Sequence, residues 1–378
     1  MSQAAAPGGA PSPAPAPVPA SASVPAPAEA SGPAARAVRA RRLDLDRAKG
    51  VAILLVVLGH IVARDQPPGV GWYEPFRYAI YRFHMPFFLY LSGTVVVLSG
   101  LHRAAPADWP RVFRGRAVRL LVPFFGLGLF ILAAKLGAMQ FVHVDNRPEG
   151  LWSGLRDLFW TTGQSPAVTV WYLFVLFLST ALALPLLRLG AGTTGLMLVG
   201  LLLQAVEVPP IAYLDRLASH FVFFAAGAWV AERQDRFLPL FERLQLVWWA
   251  AFGLAIALAV ASFTGAIPVD SPVWMGGRSA LLARGLLSIP ALHGLIRLPP
   301  VSGWDWPLFL GRYAMAIYLF NTLAIGLAKA VLIAAGIGWT SAAFPVHVVA
   351  LTAAGLAIPI LAKALVLRRL PALDRVTD

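Results

Sequence analysis

DRAKGVAILLVVLGHIVAR, residues 46–64, decides the fold class: two cations lead into fourteen residues that carry no formal charge and hold a single histidine. A run of this kind, about 20 residues long, is what crossing roughly 30 Å of hydrocarbon requires. Similar runs recur at Val118–Ala134, Val170–Leu187, Val247–Ala261 and Val346–Leu365. The chain of 378 residues is 58% hydrophobic and 13% charged, with a mean hydropathy of +0.70. One soluble core cannot hold that much apolar sequence, and the runs lack the polar stripe of a soluble bundle helix. The expected fold is an all-α membrane protein, a polytopic bundle of about ten transmembrane helices.

Charge gives the orientation. The net charge of +13 would suit nucleic acid only if Lys and Arg shared a face with interleaved aromatics. Here they collect in short loops between apolar runs, on alternate sides, which is the positive-inside pattern. No nucleic-acid partner is expected, and the bilayer takes its place. Arg36, Arg39, Arg41, Arg42, Arg47 and Lys49 put the amino end inside. Arg103, Arg111, Arg114, Arg116 and Arg119, five arginines in seventeen residues, mark the next cytoplasmic loop. Further inner loops carry Arg233, Arg236 and Arg243, then Arg297, then Arg368, Arg369 and Arg375. Spans are expected at about 46–64, 76–100, 120–141, 170–188, 190–206, 214–230, 246–263, 278–296, 311–335 and 344–367. Both termini then lie in the cytoplasm of a multi-pass protein of the cell membrane.

Residues 1–42 read as an Ala/Pro-rich cytoplasmic tail, because such a composition cannot bury enough apolar surface to offset its ordering entropy. The tail has no basic start followed by an apolar run, so it does not read as a signal peptide. Residues 43–370 form the membrane domain, and 371–378 a short cytoplasmic tail. There is no cysteine, which excludes thiol chemistry and cysteine-ligated metals; no metal site is expected.

Ionisable groups within a span are costly and usually face a polar cavity. His60 lies eleven residues beyond Lys49, about 16 Å along a helix and within about 20° of the same face. Read as one helix, the second span carries Arg77, Tyr81, His84 and Phe88 at spacings of four, three and four, on one face. That face is either a shared polar site or an interfacial aromatic belt with a snorkelling arginine. Arg116 and Arg119, three apart, are either a topology signal or a pair able to clamp phosphates.

The same residues resemble the integral-membrane acyltransferase 3 family. The likeness rests on Asp46-Arg47-Ala48-Lys49-Gly50 through Gly59-His60, and on Arg82-Phe83-His84-Met85-Pro86-Phe87-Phe88-Leu89-Tyr90-Leu91-Ser92-Gly93. Arg116-Ala117-Val118-Arg119 before Pro123, Trp171-Tyr172-Leu173 and Gly311-Arg312-Tyr313 through Tyr318-Leu319-Phe320 continue it. It covers about residues 43–368. Asn321 departs from the pattern, standing where many members carry histidine. The resemblance implies transfer of an acyl group, commonly acetyl, from cytoplasmic acyl-CoA to a hydroxyl of a carbohydrate, glycan or glycosylated small molecule. Acyl-CoA (acetyl-CoA) is then a co-substrate, and no permanently bound cofactor is expected. His60 would be the general base, with Lys49, Arg116 and Arg119 at the acyl-CoA. Arg77, Tyr81 or His84 would donate to the oxyanion at the acceptor site. The competing reading is a transmembrane transporter or exporter of a polysaccharide or small polar molecule. That reading would favour carboxylates deep inside the spans, and the spans hold essentially none.

A reporter fused after Asp378, or inserted between Arg103 and Arg114, should report the cytoplasm, and one beside Glu149 the outside. A cytoplasmic signal at Glu149 would break the ten-span arrangement.

Overall fold

The computed structural model describes residues 33–62, 65–139, 148–267 and 277–377, with side chains from Leu43 onward except that of Ala138. Residues 1–40 and 41–378 are separate compact units, and only the second is treated further. The expected tail therefore lies largely outside the described residues, as does Arg64.

No strand occurs among the described residues. Fifteen α-helices follow in chain order: α1 (Pro33–Gly59), α2 (Tyr73–Tyr81), α3 (His84–Leu98), α4 (Trp109–Ala138), α5 (Leu151–Phe159), α6 (Trp171–Arg188), α7 (Gly192–Ala205), α8 (Leu214–Glu232), α9 (Gln234–Arg243), α10 (Gln245–Phe263), α11 (Gly277–Arg297), α12 (Asp305–Arg312), α13 (Ala314–Ala334), α14 (Phe344–Leu365) and α15 (Pro371–Val376). Six of them, α4, α6, α10, α11, α13 and α14, are long and apolar enough to cross a membrane. The chain is a membrane protein, and its exterior agrees: Leu246, Leu202, Leu254 and Val349 stand out from the bundle, and only 11% of the apolar window of α10 is buried. Such a surface belongs in hydrocarbon.

Two expected spans are not single helices. The second breaks at Arg82–Phe83, where Phe83 leaves helical geometry (φ −142°), so α2 and α3 are separate. Arg77 and Tyr81 share a face of α2, but His84 and Phe88 belong to α3. The expected continuous face is therefore corrected. The ninth span breaks at Tyr313 between α12 and α13. α1 begins at Pro33, so its first turns fall in the segment read as tail. The carboxy-terminal stretch is not loose either. Buried Lys363 donates to the Asp374 carboxylate (2.7 Å) and to Thr377 (2.9 Å), which docks α15 on the bundle.

The inner packing depends on missing side chains. A Cβ on Gly93 of α3 would sit 1.9 Å from the Phe224 carbonyl oxygen of α8, and one on Gly227 of α8 would sit 1.9 Å from that of Tyr90. The two backbones touch, as small residues allow between membrane helices. At the end of the bundle where α1 enters, a polar network joins four helices. Asp44 of α1 pairs with Arg297 of α11 (2.6 Å), and Arg297 pairs with Glu242 of α9 (2.6 Å). His293 lies 3.5 Å from Asp44, and its Nδ1 shares a hydrogen bond with the Tyr90 hydroxyl of α3 (2.7 Å). Burial pushes the Asp44 carboxyl up, but His293 and Arg297 beside it hold it below the usual carboxylate range.

Gly227→Val should overpack the α3–α8 contact and cost at least about 1–3 kcal/mol, read as a fall in the unfolding midpoint and in membrane abundance. Gly253→Val is the control, because a Cβ there meets nothing within 4 Å.

Candidate active site

The last carbonyls of a helix need outside donors. α1 ends at Gly59, and α2 supplies them. The Tyr73 hydroxyl donates to the Leu58 carbonyl (2.7 Å), the Tyr81 hydroxyl to that of Gly59 (2.8 Å), and Arg77 to that of Val62 (3.2 Å). Tyr73, Arg77 and Tyr81, each four residues apart, present one edge of α2 to the end of α1. Gly59 must be glycine for this: a Cβ would meet the Tyr81 ring at 2.7 Å. The glycine before His60 is thus the seat of a tyrosine.

His60 follows directly and is half-buried. Its Nδ1 lies 3.3 Å from the Tyr81 oxygen. Tyrosine has one proton, and Tyr81 gives it to the Gly59 carbonyl, so in this pair the imidazole is the donor. His60 then carries its proton on Nδ1, and Nε2 keeps a lone pair. Buried His84 follows the same logic, since its Nδ1 is 2.8 Å from the Ile80 carbonyl, which only accepts. The Tyr81 ring packs against both imidazoles, with centroids 6.1 Å from His60 and 5.2 Å from His84, and the Arg77 guanidinium lies 5.8 Å from it. Arg77 also pairs with Glu74 at 2.6 Å.

His60, Arg77, Tyr81 and His84 are therefore together, although the helix expected to align three of them is broken. In this arrangement the Tyr81 hydroxyl proton goes to the Gly59 carbonyl and the His84 Nδ1 proton to that of Ile80. Arg77 alone retains spare N–H groups, with five donors and two bonds.

A second group lies nearer the start of α1. Lys49, Arg116 and Arg119 line one cavity of ≈ 190 Å³, which also takes in Arg312. α1, α4 and α12 each contribute a cation. α12 can approach because Gly311 rests on the Asp46 carbonyl, where a Cβ would come within 1.9 Å. Lys49 is held by Asp46 at 3.1 Å, whereas Arg116 and Arg312 have no hydrogen bond or ion pair among the described residues. The membrane-ward end is aromatic and hydroxylic: Phe88, Ser92, Tyr172 and Tyr318, with Ser92 and Tyr172 bonded at 2.7 Å. His60 and His84 are not in this lining. On α3, however, His84, Phe88 and Ser92 succeed one another at four-residue steps, so the cavity floor is one helical turn from His84.

Arg312, Tyr172, Tyr318 and Ser92 were not singled out as site residues from sequence. All four lie inside the family-like stretches, which is the signal that could have found them. Asn321 is buried and bonds the carbonyls of Ile317 and Tyr318 in its own helix, at 2.8 and 2.9 Å.

Residues 42–364 match the family described as an acyltransferase domain, Acyl_transf_3. The Nodulation protein NolL of Sinorhizobium fredii is similar, 35% identical over 123 residues, which is 32% of this chain and 32% of that protein. NolL of Mesorhizobium japonicum is 42% identical over 55 residues, 14% of this chain and 15% of its own length. The matched region thus spans about a third or less of each relative. No solved structure matches the chain.

Tyr81→Phe removes the partner that holds the His60 tautomer while keeping the ring that packs on Gly59. Acyl transfer should fall at least about tenfold, part of the roughly 10²–10⁴ that a general base supplies, with membrane abundance unchanged. Wild-type rates in Tyr81→Phe would show that His60 is oriented by something else.

Proposed function

Because the chain belongs to the acyltransferase 3 family, we propose that it is a membrane O-acyltransferase of the cell membrane that takes an acetyl group from cytoplasmic acetyl-CoA. The acceptor is a hydroxyl of a carbohydrate, glycan or glycosylated small molecule. The similarity to proteins named for nodulation is compatible with that acceptor class and narrows it no further. The reading includes ten spans with both termini in the cytoplasm. Besides the six long helices, the crossings are α1, α2–α3, α7 and α8.

The observation that carries the proposal is the convergence of Lys49, Arg116, Arg119 and Arg312 on one cavity at the inner face. Coenzyme A is a polyanion on a long thin arm. Guanidinium groups bind its phosphates as forks, and the ammonium acts as a point charge. The arm runs from there toward Ser92 and Tyr172, and the thioester comes to His60 once Phe88, Tyr172 and Tyr318 make way.

The chemistry then follows from the tautomers. His60 Nε2 takes the proton of the acceptor hydroxyl as its oxygen attacks the thioester carbonyl. Negative charge grows on that carbonyl oxygen, and the spare N–H groups of Arg77 stabilise it. Collapse breaks the C–S bond. The departing thiolate recovers the proton from the imidazolium, leaving coenzyme A as the thiol and the acceptor as its ester. His84 Nε2 accepts from a second acceptor hydroxyl and orients it, and Tyr81 holds His60.

Replacing Arg116 and Arg119 together by Ala should weaken acetyl-CoA binding at least about tenfold, since each charged hydrogen bond is worth about 1.5–3 kcal/mol, while insertion survives on the other basic residues. His60→Gln keeps polarity and approximate volume but cannot take the proton. It should abolish transfer of labelled acetyl to surface glycan and extracted small molecules, with acetyl-CoA affinity near wild type. Unchanged affinity in the arginine variant would reduce that pair to topology markers. Substantial activity in His60→Gln would remove the base from the mechanism.

A further inference from the structure

The face of α4 turned away from the donor cavity carries two openings in line. Nearer the cytoplasm, Pro110, Arg111, Arg114, Gly115 and Val118 of α4 and Arg375 of α15 line a cavity of ≈ 560 Å³. Deeper, Val122, Gly126 and Phe130 of α4, Leu323 of α13 and Leu373 and Val376 of α15 are among the lining of a second, of ≈ 490 Å³. Every described residue lining the second is apolar except Thr377. Positions 111, 114, 115, 118, 122, 126 and 130 fall on one stripe of the helix, so the surface passes from cationic to apolar along a single line.

Three features set the ligand chemistry. Arg111, Arg114 and Arg375 are exposed and share a cavity, and among the described residues they have no hydrogen bond or ion pair and no carboxylate lines that cavity. The deep opening is lateral, since Val122 is 53% and Phe130 57% exposed on the surface that faces hydrocarbon. Arg114 and Gly126 are twelve residues apart, about 18 Å of rise, comparable to half of the roughly 30 Å hydrocarbon core. An anionic head with an apolar tail about one leaflet long fits this surface. The polar arm of an acyl-CoA does not require a groove open to lipid.

We infer that this face of α4 and α15 is a binding site for one anionic phospholipid of the cytoplasmic leaflet. Its headgroup phosphate sits among Arg111, Arg114 and Arg375, and one acyl chain lies in the groove past Gly126. Phosphate held by several guanidinium groups is a strong, geometrically specific contact. Lys363 fixes Arg375 in place through its bonds to the neighbouring Asp374. The lipid joins α15 to α4, and the site stands or falls independently of the acyltransferase reading.

The test is native mass spectrometry of the full chain, delipidated and offered phosphatidylglycerol or phosphatidylcholine of the same chain length. Wild type should retain phosphatidylglycerol at least about tenfold better. Arg111→Gln with Arg114→Gln and Arg375→Gln should erase that preference. Gly126→Trp should lower retention of phosphatidylglycerol with the arginines intact. A Cβ at Gly126 meets nothing within 4 Å, so its new ring enters the groove rather than the packed interior. This second variant decides the matter if the arginine variant fails to insert. Equal retention of the two lipids by wild type overturns the site, as does undiminished retention by Gly126→Trp. Displacement of the bound lipid by acetyl-CoA would assign the basic cavity to the donor and overturns it as well.

Discussion

The contact between α3 and α8 leaves no space for a side chain at Gly93 or Gly227. Three polar groups of the bundle include residues of α3. Its first residue is His84; one turn on is Phe88 at the cavity floor, and another turn gives Ser92 beside Tyr172. From a different face Tyr90 reaches His293 and so the Asp44–Arg297 pair. A shift of α3 by the width of a methyl group would disturb the histidine cluster, the cationic cavity and the Asp44–Arg297 network at once. In hydrocarbon, where burying apolar area does not bring helices together, contact this close is one of the few ways to hold such a position.

Satisfying backbone accounts for how the histidine cluster is assembled. α1 stops in the bundle with carbonyls exposed, and lipid cannot bond them. Tyr73, Arg77 and Tyr81 do so. The same bonds use the tyrosine proton and leave His60 as the donor in its pair with Tyr81. The tautomer that exposes Nε2 thus follows from a helix-capping requirement. Sequence reasoning treated Arg77, Tyr81 and His84 as one helical face with a shared task. They divide instead into cap and orienting group, spare donor, and acceptor.

Hydropathy made the long spans legible to within a few residues. The apolar run read as 170–188 is α6, Trp171–Arg188, and that read as 278–296 is α11, Gly277–Arg297. The break at Arg82–Phe83 had a local sign in Pro86, which has no N–H for the Arg82 carbonyl, whereas the break at Tyr313 had none that the hydropathy pattern shows. α9 carries Arg236 and Arg243 and reads as a charged loop, yet it buries Leu238 and Phe241 on one face. Asp44 and His293 gave no local sign of meeting. For the candidate site, the cations and histidines were visible as residues out of place in apolar sequence, whereas Tyr172, Tyr318 and Ser92 blend with it.

The arginines of α4 show how much angle adds to count. Positive-inside orientation needs cations on one side of the membrane and is indifferent to where they point around a helix. At about 100° per residue, Arg111 and Arg114 centre on a direction roughly 140° from that of Arg116 and Arg119. One pair lines a cavity between helices with Lys49 and Arg312, and the other lines a lateral cavity with Arg375. Topology alone would be served by any arrangement, including arginines paired with nearby carboxylates. Instead, Arg111, Arg114, Arg116, Arg312 and Arg375 form no ion pair among the described residues. Unpaired guanidinium groups brought together in one cavity repel each other, a cost that orientation does not require and an anionic ligand relieves. The angular split gives α4 two cationic faces, one directed into the bundle with Lys49 and Arg312 and one turned away from it with Arg375.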